Sequence, residues 1–226
     1  MRTVLGRVAV IGGLIAALAA IAAAVPATGG PPLVGLTYYA VQPDPRLCPS
    51  PLCGGYWASL ANRGQTRCHD GALRPRCYVA MTVDEDRHPL PSGLPGGALV
   101  RADIEPWSFE AFGKLGVLVV ADVWAPAGRA TLSGGFYRLR DTGMRCIRAP
   151  CFSLRASKLN GSSRVTVSDL DLGATRATPE ELGRAEAALR TKNGLFARGR
   201  IVATPDGGRL FRATRVFLRV VVTTRA

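Results

Sequence analysis

The chain holds 226 residues, with 29 Lys and Arg against 16 Asp and Glu, a formal net charge of +13. This length accommodates one large domain or two small ones. After the first 27 residues no stretch is apolar enough to cross a bilayer, which excludes a mature protein built from membrane-spanning helices.

The N-terminus, MRTVLGRVAVIGGLIAALAAIAAAVPA, places Arg2 and Arg7 ahead of an apolar run from Val8 to Ala24. Small residues then permit cleavage after Ala24 or after Ala27. This is the signal-peptide pattern, so residues 1–27 are expected to be removed on export. The rival is an uncleaved anchor, but the alanine-dominated run is short for a span of about 20 residues. The first cysteine, Cys48, is far from the cleavage region, which argues against a lipid anchor. The expected location is secreted or periplasmic.

Residues 28–128 are expected to form a first β module. It contains four of the six cysteines, Cys48, Cys53, Cys68 and Cys77; Cys146 and Cys151 follow later. An even count in an exported chain reads as disulfides. Sequence does not fix their connectivity, but proximity favours 48–53, 68–77 and 146–151. A four-cysteine zinc site built from the two short loops is the competing reading, and an oxidising compartment argues against it. The stretch DEDRHPLPSGLPGG, 84–97, is too rich in proline for a helix.

"RLCPSPLC" at 46–53 returns as "RCIRAPC" at 145–151. Shifting the chain by 98 residues sets Tyr39 on Tyr137, Cys48 on Cys146, Cys53 on Cys151, Ala58 on Ala156 and Asn62 on Asn160. Beyond that stretch "CYVAMTV" answers "RVTVSDLDL", "GALVRADIEPW" answers "GLFARGRIVATP", and "GVLVVADVWA" answers "RLFRATRVFLRVVV". A duplicated module is the economical account. Two copies are too few for a solenoid, so each is expected to bury its own core.

The second, basic β module, 129–226, shows short Val-, Phe-, Leu- and Thr-rich segments bounded by Gly, Asp, Asn and Pro. Asn160-Gly161 signals a tight turn. One helix interrupts the strands. Thr178 caps it, Pro179 opens it, Glu181 completes a capping box, and Leu182, Ala185 and Leu189 share one face. Asn193-Gly194 ends it. The order strand-strand-strand-helix-strand-strand is that of the five-stranded oligonucleotide/oligosaccharide-binding (OB) barrel. The expected fold is therefore mainly β, with two small OB-like barrels in tandem joined near 126–135; β-sandwich modules are the alternative.

The segments "PDPRLCPSPLCGGYWASLAN", "CYVA" and "DTGMRCIRAPCFSLRASKLN" together resemble a family of exported bacterial proteins known only as a domain of unknown function. The resemblance spans nearly all of the mature chain. It implies export and the paired module, and it implies no activity and no catalytic residues.

The residues themselves point to binding rather than catalysis. The two histidines are His69 and His88. A secreted hydrolase using His69 with Asp70 is the alternative function, but no nucleophile motif accompanies the pair. "DEDRH" at 84–88 has acids for calcium yet lacks the length and glycine placement of a known loop, so it reads as a solvated turn. No glycine run has a Walker or dinucleotide pattern. No cofactor is implied, and no metal.

Charge is the positive signal. Residues 28–128 hold eight Lys and Arg against nine Asp and Glu, a net of −1; residues 129–226 hold nineteen against seven, a net of +12. An anionic partner is the natural reason. Arg138 and Arg140 share a face of the module's first strand, and Arg155 sits with Ser153 and Ser157 on its second. Arg145 and Arg148 lie in the cysteine loop, and Arg209 ends "TPDGGR". These six arginines are the candidate binding set, for a polysaccharide, a cell-wall polymer or an acidic protein. Scarce aromatics argue against single-stranded nucleic acid. A disulfide-closed loop displaying Ser50 or Arg148, as a protease inhibitor does, is a further alternative.

Overall fold

The computed structural model describes residues 36–130 and 133–221, so the expected signal peptide lies outside the described residues. The first half runs through β1 (Thr37–Pro43), β2 (Tyr56–Leu60), β3 (Thr66–Arg67), β4 (Leu73–Arg74), β5 (Cys77–Val79), β6 (Met81–Val83), β7 (Leu99–Phe109) and β8 (Gly113–Ala127). The second runs through β9 (Gly135–Asp141), β10 (Leu154–Lys158), β11 (Arg164–Val167) and β12 (Asp169–Asp171). The helix α1 (Pro179–Leu189) follows, then β13 (Leu195–Ala203) and β14 (Arg209–Val220). The protein is mainly β.

The two halves repeat one pairing scheme. β1 pairs antiparallel with β2 and β7, β2 with β5, and β7 with β8. Likewise β9 pairs with β10 and β13, β10 with β11, and β13 with β14. Only Ala80 separates β5 from β6. There the chain leaves β2, the Ala80 N–H donates to the Gly116 carbonyl at 2.7 Å, and β6 runs parallel to β8. Ser168 repeats the manoeuvre: its N–H donates to the Arg209 carbonyl at 2.8 Å, and β12 runs parallel to β14. The irregularities match as well. Register slips between Arg101 and Ala102 on β7 and between Arg198 and Gly199 on β13.

The halves are not beads on a string. β8 and β14 pair antiparallel from Val216↔Ala127 to Val220↔Val123, merging both halves into one twelve-stranded sheet among the described residues. The middle pair, Leu218↔Ala125, joins equivalent positions, so an approximate two-fold axis passes there. Each half buries its own cluster, around Val41, Val79, Val100 and Leu118 in the first and Leu139, Val167, Leu195 and Phe211 in the second. A third cluster lies between them and is built from counterparts: Leu99 and Phe196, Trp124 and Phe217, Ala61 and Leu159, Tyr38 and Phe136.

Asn62 and Asn160 fasten this junction reciprocally. The Asn62 side chain donates to the carbonyls of Phe136 (2.7 Å) and Leu159 (3.0 Å) and accepts from the Phe136 N–H (2.8 Å). Asn160 donates to Tyr38 (2.7 Å) and Ala61 (3.0 Å) and accepts from the Tyr38 N–H (3.0 Å). Both have positive φ, 62° and 53°, a conformation Asn tolerates better than most residues.

The helix begins as its sequence dictates and ends at Leu189, ahead of the expected stop at Asn193-Gly194. The Thr178 hydroxyl accepts from the Glu181 N–H (3.2 Å), and the Glu181 carboxylate accepts from the Thr178 N–H (2.8 Å). Ala185, Ala188 and Leu189 meet the second core, and Leu182 is half-buried. The cysteines form 48–53, 68–77 and 146–151 disulfides, which removes the thiolates a zinc site needs. Among the described residues no helix is long and apolar enough to cross a membrane.

Candidate anion-binding site

Strand alternation sorts the second half into an apolar inner face and a basic outer one. On β9, Tyr137 and Leu139 turn inward and Arg138 and Arg140 outward. On β10, Leu154 and Ala156 turn inward and Arg155 and Ser157 outward. The ladder aligns the outward set: Ser157 lies opposite both Arg138 and Arg164, and Arg155 lies opposite Arg140. Arg138, Arg140, Arg155 and Arg164 thus line one groove of about 340 Å³, with Thr142, Ser157 and Asp141. Among the described residues, which include every Asp and Glu of the chain, none of these four guanidinium groups is ion-paired.

The groove's carboxylate, Asp141, is already engaged. Both Arg145 terminal nitrogens fork onto it, at 3.0 and 2.8 Å, and the Gly143 N–H adds a bond at 2.7 Å. That Arg145 pairing, more than any other contact, holds the Asp141 carboxyl down at about 2. Arg145 therefore orders the cysteine loop and contributes little free charge. Arg148 stands exposed in the same loop. Arg209 lies apart from the groove lining, its guanidinium 5.7 Å from the Phe152 ring centroid. The structure thus gathers Arg138, Arg140 and Arg155 of the six expected arginines, leaves Arg148 and Arg209 out of the groove lining, and diverts Arg145. It adds Arg164, which the alternation of RVTV marks as outward.

The equivalent face of the first half is closed by its own side chains. Ala40, Gln42, Trp57 and Tyr78 stand where the second half has Arg138, Arg140, Arg155 and Thr166. The Arg46 guanidinium lies 5.1 Å from Trp57 and 4.9 Å from Tyr78, and Arg76 lies 4.6 Å from Trp57. Asp44 accepts from Arg46 (2.9 Å) and from the Trp57 indole N–H (3.1 Å). The disulfide loop 48–53 is drawn onto this stack, since Tyr78 Oη donates to the Pro51 carbonyl and Arg46 to that of Leu52.

Residues 37–223 match the family described as domain of unknown function DUF6748. The chain belongs to this family. Comparison with curated proteins and with solved structures finds no match. Within this DUF6748 chain the other candidates gather less. Asp70 gives both oxygens to Arg74, at 3.0 and 2.7 Å, and one also to the Ala72 N–H, so it does not orient His69. His69 Nδ1 is buried without a partner among the described residues. Asp84, Asp86 and His88 each bring one ligand atom within 4.8 Å of the others. They sit on a turn in which Asp84 also accepts from the His88 N–H at 2.8 Å.

Proposed function

We propose that this DUF6748 chain is an exported, disulfide-stapled binding protein whose second half holds an anionic polymer or an acidic protein surface. The observation that carries the reading is the arginine quartet: four guanidinium groups on one sheet face, unpaired, around a groove whose acid is occupied. Arginine forks suit sulfate, carboxylate and phosphate. Like charges converge at some cost in stability, and an anionic ligand relieves that cost. An OB-like form for each half belongs to the same reading. Its support is the pairing scheme, in which the third strand leaves the second and turns parallel to the fifth, with α1 between the third and fourth. In that form ligands cross strands two and three, and β10 and β11 carry Arg155 and Arg164.

Binding of full-length mature protein to heparin tests the reading. Retention at about 0.15 M salt should be strong, and log affinity should fall with log salt with a slope of about −4 for four contacts. Arg155→Ala with Arg164→Ala should lower the slope magnitude by about 2. Arg176→Ala with Arg184→Ala, which removes equal charge elsewhere on the second half, should change it far less. Equal effects of the two pairs would reduce the reading to net charge alone.

A further inference from the structure

Arg138 borders two cavities. Beyond the arginine groove it lines a second cleft of about 330 Å³, shared with Tyr38, Arg101, Asp122, Asn193 and Arg219. This cleft is composite: Tyr38, Arg101 and Asp122 come from the first half, and Arg138, Asn193 and Arg219 from the second. Asp122 is its one carboxylate and serves two arginines, Arg101 at 2.7 Å through one oxygen and Arg219 at 2.7 Å through the other. Two cations on one anion leave surplus positive charge, and Arg101 and Arg219 remain 39% and 59% exposed at the side chain.

The cleft on the other side of the two-fold axis is occupied differently. There Arg215 stands in place of Asp122, and its guanidinium donates to the Ala130 carbonyl at 2.6 Å. Arg198, the counterpart of Arg101, lies 5.0 Å from the Phe136 ring centroid and donates to the Gly134 carbonyl. The repeat is therefore broken at this position, and the cleft that holds Asp122 is the one continuous with the quartet through Arg138. Across the sheet the basic path runs from Arg164 on β11, past β10, β9 and β13, to Arg219 on β14. Four strand spacings are about 19 Å.

We propose that the two cavities form one binding track, and that its ligand is an extended, multiply charged acidic polysaccharide chain bridging the two halves rather than a compact anion. This rests on the anion-binding reading above and adds its length and its path. Trp124 and Phe196 in the cleft lining are 4% and 2% exposed, which leaves Tyr38 as its one half-buried ring, too few for a run of stacked bases. That favours a sugar polymer over single-stranded nucleic acid. Asp122 sets the reserve of charge: a ligand anion entering the cleft competes with it for Arg101 and Arg219.

Size-fractionated heparin oligosaccharides, titrated against the full-length mature protein, read the track directly. Affinity should rise at least about tenfold from disaccharide, too short to span the path, to decasaccharide, as further exposed ion pairs form. Arg219→Ala should weaken decasaccharide binding about three- to fivefold, the worth of one such pair, and leave disaccharide binding at the quartet unchanged. Asp122→Asn keeps the side-chain shape, removes the counter-charge of both arginines and should tighten decasaccharide binding, a gain that mere structural damage does not produce. If Arg155→Ala with Arg164→Ala abolishes binding while affinity ignores length and both cleft variants are silent, the track is overturned and the quartet stands. If no heparin fragment binds, both fall. Tighter binding of a single-stranded oligonucleotide than of a decasaccharide of equal charge would overturn the sugar assignment.

Discussion

Asn62 and Asn160 show how much a single side chain decides here. Each satisfies one N–H and two carbonyls of the opposite half. Replacement removes this partner from all of these groups; the Phe136 and Tyr38 carbonyls keep the Leu159 and Ala61 N–H groups, and each of the others that water cannot reach costs about 1–3 kcal/mol. Asn160→Gly retains access to φ 53° and removes only the side chain. It should cost about 2–4 kcal/mol in urea unfolding, and Asn160→Ala somewhat more. A glycine variant as stable as the parent would show that only the backbone conformation matters. Three aspartates set the acid limit. Arg46 beside Asp44, Arg74 beside Asp70 and Arg145 beside Asp141 are the main causes that hold each carboxyl down at about 2. The unfolded value is about 4. A depressed folded value stabilises fully above the unfolded one and is lost as pH falls through the folded one. The thermal midpoint should therefore be level above about pH 4 and fall toward pH 2. Asp44→Asn should flatten part of that fall.

At the scale of elements, equivalent strands have been given opposite surfaces. β10 and β11 present Arg155 and Arg164 to solvent, whereas β2 and β5 present Trp57 and Tyr78 to a lid of Arg46 and Arg76. Arg46→Ala with Arg76→Ala removes as much charge as the Arg155 and Arg164 pair. It should lower stability yet shift elution from a heparin column far less than that pair does. Larger or equal shifts would place the ligand on the first half. Much of this was legible in sequence, because period-two alternation and turn residues are local signals. The capping box at Thr178 and Glu181, the loop disulfides and the outward Arg138, Arg140 and Arg155 all follow from residues a few positions apart. Arg164 obeys the same alternation in RVTV. The fate of Arg145 also had a local sign, an aspartate four residues earlier. What local signals do not encode is pairing between distant strands. The repeat marks Asn62 and Asn160 as equivalent, but only the β8–β14 pairing reveals that each reaches into the other half.

At the scale of the whole molecule, that pairing makes two copies of one scheme into a single cooperative object. Each half has a core, but Leu99, Trp124, Phe196 and Phe217 are buried in a cluster shared by both halves across the axis. Separating the halves would expose that cluster, open the inner edges of β8 and β14, and strip the two asparagines of their partners. An exposed, hydrophobic sheet edge is itself destabilising to solubility. The chain carries its own probes for the consequence. All three tryptophans, Trp57, Trp107 and Trp124, lie in the first half, and the one α-helix of the described residues lies in the second. Tryptophan emission therefore follows the first half and the junction, while the helical band of the far-ultraviolet circular dichroism follows the second. If the junction couples them, urea unfolding with disulfides intact should give coincident transitions by both probes, the signature of two-state behaviour. Asn62→Gly with Asn160→Gly should separate the two midpoints, because it weakens the tie between the halves while leaving each core intact. Two resolved transitions in the parent protein would mean that the halves fold independently and that the composite cleft is held by β8–β14 pairing alone.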